Sequence, residues 1–264
     1  MRIDLIARSR SPQAYAGTVL ELFRQELPGL LSSAVNPIQH EAIPAGLGHR
    51  IDRFTALALI CIRSLQNRVP AGADSQRVGV YVGNAFAGWA YGGEQLAHLV
   101  AEGPEAVHAF QSTAWFPAAA QGEITILTGF KGQAKTFSGS RCPFSEAMLA
   151  ASMALSANVI DFAFVGAAES CVSPYLAWGS GMGHSEHAEA EGAFFALISQ
   201  PGALNGARPI SVEVVNASQA TVSRSVLLPP AWISELDRGF AVLAPDKPLT
   251  LPFTSQRVLE ISSI

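Results

Sequence analysis

Side chains able to act as nucleophiles or carry protons are sparse here: the chain has three cysteines, Cys61, Cys142 and Cys171, and six histidines. Cys142 has the most suggestive surroundings. A strand-like run from Lys135 to Ser138 leads through Gly139, Ser140 and Arg141 to Pro143 and an Ala-rich helical stretch. A strand–turn–helix elbow presents a side chain at a helix N-terminus, where backbone N–H groups and the helix dipole lower a thiol pKa. Cys142 is therefore a candidate nucleophile, and a buried structural cysteine is the competing reading. His184 and His187, with Glu186, Glu189 and Glu191 close by, would share a face only if helical. Glycines at 179, 181 and 183 argue for a loop instead. The cysteines stand too far apart for a zinc site. Gly179-Ser180-Gly181 lacks the spacing of a nucleophile elbow, and Gly83 to Gly88 lacks the Lys-Ser/Thr of a phosphate loop. No metal and no cofactor is expected.

The elements that must position Cys142 follow from periodicity. Ile3 to Ala7 reads as a first strand, and Pro12 to Leu31 carries a helical pattern on Tyr15, Val19, Leu22 and Phe23. A loop from Ser32 to Gly48 follows. Asp52 can cap a helix running through Leu65, with Phe54, Leu57, Ala58, Cys61 and Leu65 on one stripe. Val78 to Val82 reads as a buried strand, followed by a helical stretch from Gly93 to Ala101. Gly129 to Gly132 makes a turn before Lys135 to Ser138. Pro143 to Asn158 is apolar all round, as expected of a buried helix. Ile160 to Gly166, Phe194 to Ile198 and Ile210 to Val215 supply further strands. This order predicts an α/β fold with a mixed sheet, a buried central helix and flanking helices. Without internal repeats or a low-complexity linker, residues 1–264 are expected to form one domain.

Composition narrows the function classes. With 49% hydrophobic and 14% charged residues, the chain is unlike a disordered segment. Seventeen basic against 21 acidic residues give −4, and no Lys/Arg run marks a nucleic-acid partner. Apolar stretches such as Ala56 to Ile62 fall far short of the ~20 residues of a membrane span, so no membrane partner is expected. An odd cysteine count and an N-terminus without a signal pattern fit a reducing, cytoplasmic setting.

Several segments in order resemble the β-ketoacyl synthases, within the thiolase-like superfamily. These are Ile43 to Gly46 with Arg50 to Ala58, Val78 to Phe86, Pro117 to Ala119 with Gly122 to Ile126, Gly129 to Gly132, Val165 to Ser170 and Glu191 to Leu197. The resemblance implies a thiolase-like half fold. It also implies substrates that are acyl chains on an acyl carrier protein, in polyketide or specialised fatty-acid assembly. Counting without gaps forward from Gly132 or back from Glu169 puts the family's nucleophilic cysteine at Arg141. Arginine stays protonated and cannot accept an acyl group. The family's second half supplies two histidines, whereas no histidine follows His187 in these 264 residues. The condensing triad is therefore not expected to assemble within this sequence.

What the resemblance implies is a non-condensing partner subunit, similar in role to chain-length factors. It would pair with a β-ketoacyl synthase subunit as a heterodimer, or with itself as a homodimer. Lys135, Thr136, Phe137 and Ser138 would lie at the family's dimer interface. Apolar surface left by the absent half would need a cover, for which the C-terminal extension Ala231 to Ile264 and a protein partner are both candidates. Two alternatives stand beside this reading. One is an acyltransferase or thioesterase-like enzyme acting through Cys142; the other is a homodimeric protein binding an acyl chain or carrier protein.

Overall fold

Strand β1 (Arg2–Arg10) opens the chain, and Asp52 then starts helix α1 (Arg53–Leu65) by accepting the Phe54 N–H on its carboxylate. That is the N-cap geometry expected from the sequence. In the computed structural model, which describes residues 1–10, 38–139, 142–172, 191–204, 206–216, 236–243, 248–252 and 257–264, eight strands form one sheet. After β2 (Val78–Asn84) come α2 (Trp89–Glu102), a single turn Gln111–Ala114, α3 (Ala119–Thr128) and β3 (Ala134–Ser138). Then follow α4 (Pro143–Ser156), β4 (Phe162–Ser170), β5 (Glu191–Ser199), β6 (Arg208–Asn216), β7 (Leu249–Pro252) and β8 (Arg257–Ser263). The expected helix over Pro12 to Leu31, the turn residues Ser140 and Arg141, and His184 to His187 lie outside the described residues.

The sheet order is β3-β2-β4-β5-β1-β6-β8-β7. β2 runs parallel to both β3 and β4, and every pairing from β4 through β7 is antiparallel. Strands β2, β4 and β5 are buried at every residue because helices cover both faces. On one face α1 and α3 pack Phe54, Leu57, Cys61 and Ile124 against Val80, Phe164 and Phe195. On the other, α4 packs Phe144, Met148 and Ala151 against Tyr81, Val165 and Phe194.

Towards the end of the sequence, β7 and β8 lengthen the sheet, and residues 236–243 pack on its α4 side. Phe240 stands 6.0 Å from Phe144 and 5.2 Å from Phe194, ring to ring. Each such pair contributes about 0.5–1.5 kcal/mol beyond the area it buries. The Arg8 guanidinium pairs with Asp237 and anchors this segment to β1.

Other expectations shift in detail. α2 begins at Trp89, a turn before the predicted Gly93, so Gly92 and Gly93 sit inside a helix. The predicted strand from Ile160 begins at Phe162 and runs on to Ser170. α3 carries only Ala120 and Ile124 as buried residues, too few for a periodic signal, and ends at Gly129 with φ of 71°. No helix among the described residues is long and apolar enough to cross a membrane.

Candidate functional site

The parallel strands β2, β3 and β4 bring their C-terminal ends to one end of the sheet, where α4 starts. Close approach there depends on Gly83. A Cβ on that residue would lie 2.6 Å from the Pro143 carbonyl carbon and 2.7 Å from Phe144 N. α4 therefore begins directly on the main chain of β2.

Cys142 occupies the N-cap of α4, yet its side chain makes no capping hydrogen bond. Its carbonyl accepts the Ser145 N–H at 2.9 Å. The thiol is 4% exposed. Burial pushes its pKa up, outweighing the opposing pull of nearby Ser145 and the Phe144 N–H, and Glu146 adds to the rise. The expected pull of the helix start is present, but desolvation wins, so the thiol is neutral at neutral pH. Arg141, at the family's nucleophile position by count, lies outside the described residues.

β3 pairs with β2 along one side only and forms one border of the described sheet. Lys135 and Ser138 are exposed and Thr136 is half-buried. Phe137 turns inward against the α4-side core, so alternation points it away from solvent.

A second constellation lies where α1, α2, β4 and β5 meet. Glu169, fully buried near the end of β4, accepts the N–H groups of Ala85 and Phe86, the latter at 3.1 Å. Asp52 accepts Phe54 N on one oxygen and Tyr91 N, at 2.7 Å, on the other. Glu191 opens β5 and binds the Arg53 guanidinium through two 2.8 Å contacts, with the Ser170 hydroxyl donating to it at 3.3 Å. Burial raises the Asp52 pKa to about 7 and that of Glu169 to about 8, against the pull of those backbone donors. Glu191 and Glu169 belong to the motifs noted above, but their convergence with Asp52 carries no sequence signal. Among the described residues no group of three or more His, Cys, Asp or Glu is arranged to hold a metal.

A groove of about 240 Å³ opens beside this region, floored by Ala114, Ala118 and Gly122 and lipped by Phe116 and Ile126. Phe116 and Ile126 are 53% and 77% exposed, and Trp89, at the start of α2, is 56% exposed. Arg50 closes one end of the groove and stacks over the Phe110 ring at 4.2 Å. Ser112, Thr113 and Glu123 also line it, so the groove carries both apolar and charged side chains.

Comparisons with known proteins bear on this geometry. Residues 40–194 match the family described as β-ketoacyl synthase, N-terminal domain. The tetracenomycin polyketide synthase ketoacyl synthase beta subunit of Streptomyces glaucescens is 29% identical over 136 residues, covering 50% of this chain and 33% of that protein. A putative polyketide beta-ketoacyl synthase 2 of Streptomyces cyaneus is 34% identical over 130 residues, covering 47% of this chain and 31% of that protein. The match thus spans about a third of the length of these curated relatives.

Among solved structures, the AntDE:AntF complex is a type II polyketide synthase acyl-carrier protein with its ketosynthase bound to the hexaketide. One of its chains aligns with a TM-score of 0.62 at 27% identity, over 81% of this chain and 68% of that one. A chain from the complex of the ketosynthase ApeO with its chain length factor ApeC, from Xenorhabdus doucetiae, aligns with a TM-score of 0.65 over 99% of both chains. Its 12% identity speaks to the fold alone.

Proposed function

The chain belongs to the β-ketoacyl synthase family, and from that premise we propose that it is a non-condensing, chain-length-factor-like partner subunit. In this reading it works in the cytoplasm beside an active ketosynthase, on chains carried by an acyl carrier protein. The observation that carries it is the start of α4. Where the family keeps a reactive cysteine, the count arrives at Arg141, and the neighbouring Cys142 is buried with a raised pKa. A nucleophile needs the opposite environment, partly exposed and electropositive. A chain from the type II polyketide ketosynthase–acyl-carrier protein complex, 27% identical to this one, supports a place in such an assembly. Relatives named as polyketide synthase subunits support the pathway class.

Residues 1–264 act here as one domain, with 231–264 an extension that finishes its sheet. The border strand Lys135–Ser138 faces the partner along its free edge. Exposed Trp89, Phe116 and Ile126 are apolar surface of the kind a stable partner covers.

Co-expression with a ketosynthase encoded beside it tests the reading. A one-to-one complex should form, and condensation on carrier-bound substrate should survive Cys142→Ala while ending when the partner's catalytic cysteine is replaced. Acyl transfer or thioester hydrolysis by the purified chain, lost in Cys142→Ala, would replace this reading with the enzyme. A chain that ignores the synthase and binds acyl carrier protein as a homodimer would replace it with the binding protein.

A further inference from the structure

We propose that Asp52 and Glu169 form a proton-operated clasp on residues 85–91, closed when these two carboxyls hold their protons and loosened when they lose them. The geometry comes first. Glu169 holds the main chain of Ala85 and Phe86, and Asp52 holds that of Tyr91, so two carboxylates grip both ends of one short segment. Their own anchors are elsewhere: Glu169 belongs to a central strand, and Asp52 caps α1. The gripped segment contains Trp89 and the first turn of α2, whose exposed face continues through Leu96 and Val100. Release of the clasp therefore displaces an apolar surface patch, not an isolated loop. The proposal concerns this chain alone and stands whether or not the partner-subunit reading holds.

The direction of the switch follows from what surrounds each carboxylate. Asp52 faces Arg53 of α1, Tyr91 of α2 and Glu191 of β5. Glu169 feels Asp52, and the Cys171 thiol feels all three carboxylates, its pKa lying well above the ordinary value. Glu94 stands further along α2 and acts on Tyr91. Arg53 is engaged in the bidentate pair with Glu191. Closing the clasp removes the carboxylates from water, which disfavours their charged forms. Opening lets water in, and their pKa values fall back towards 3.8 and 4.5. Protons are thus bound more tightly in the closed state. Rising pH favours opening from the ordinary carboxylate range up to about 7 for Asp52 and about 8 for Glu169, then has no further effect.

Amide-resolved hydrogen exchange on the full chain, corrected for intrinsic rates, tests this. Because release of the segment frees two carboxyls, the opening equilibrium at Ala85, Phe86 and Tyr91 should rise up to about a hundredfold per pH unit between roughly pH 5 and 7, about tenfold from roughly 7 to 8, and level off above. Ala151, deep in α4, should show no matching slope. Glu169→Gln and Asp52→Asn should each cut the slope to about tenfold per pH unit along the whole of Ala85, Phe86 and Tyr91. A flat wild-type profile overturns the proposal. So does a slope shared equally by Ala151, which would mean global unfolding, and so does a variant that folds yet keeps the full slope. If neither variant folds, the contrast between Ala85 and Ala151 in the wild-type chain decides alone.

Discussion

Helices α1 and α4 begin on opposite faces of one sheet, and their first residues are chemically unlike. α1 starts on a buried carboxylate that accepts from its own helix and from α2, with Arg53 tied to β5 one residue later. α4 starts on a thiol that caps nothing, and its fit rests on backbone lying against Gly83. A carboxylate has several acceptor positions and can join separate segments, whereas a thiol is a weak donor and acceptor. The titratable groups of this fold are thus gathered where they hold segments together. The start of α4 carries a neutral buried thiol instead. One helix start should therefore be sensitive to side-chain chemistry, and the other to backbone position.

Arg53→Met gives the sharpest contrast. It leaves Glu191 buried without its guanidinium, and breaking such a pair costs about 3–5 kcal/mol. Denaturant unfolding at pH 7 measures it, and a loss below about 1 kcal/mol would erase the distinction between the two helix starts. Gly83→Ala comes next. Its methyl meets backbone atoms of Pro143 and Phe144 at 2.6 and 2.7 Å, and such overpacking costs about 1–3 kcal/mol. The same variant should expose Cys142 to alkylation, which mass spectrometry reads directly. Cys142→Ala should matter least, about 1 kcal/mol, because it removes one buried heavy atom and no capping bond. In the native chain at neutral pH, iodoacetamide should label Cys142 far more slowly than it labels the denatured chain. Equal rates would mean that α4 does not begin as described.

Much of the frame could be read from the sequence, and the reasons are local. α1 follows its predicted bounds because the cap at Asp52 and the stripe from Phe54 to Leu65 act within a few residues. β2, β3 and α4 were likewise marked by bounding glycines, a proline at the first helical position and uniform apolarity. α3 and the first turn of α2 leave little trace because Gly122 and Gly92 weaken a helical pattern that tertiary packing supports. β7 and β8 leave little local signal because they contain proline or polar residues and gain strand character from pairing, β8 with β6 and β7 with β8. The carboxylate cluster was invisible for a different reason. Asp52, Glu169 and Glu191 meet across more than a hundred residues, and no local pattern records a burial created by the whole fold.

The place of β1 in the sheet sets a timetable for synthesis. β1 lies between β5 and β6, pairing Arg10 with Phe194 and Arg2 with Ser211. β1 must therefore wait for roughly 190 further residues before β5 is made, about 10–40 s at ordinary elongation rates. Through that interval Ile3 and Leu5, later buried in the core, have neither neighbour, and both edges of the strand can pair with other chains. Nascent chains crowded on one message are the nearest such strands. Yield of native protein should thus depend on how densely ribosomes load, and on what shields β1 until β5 arrives.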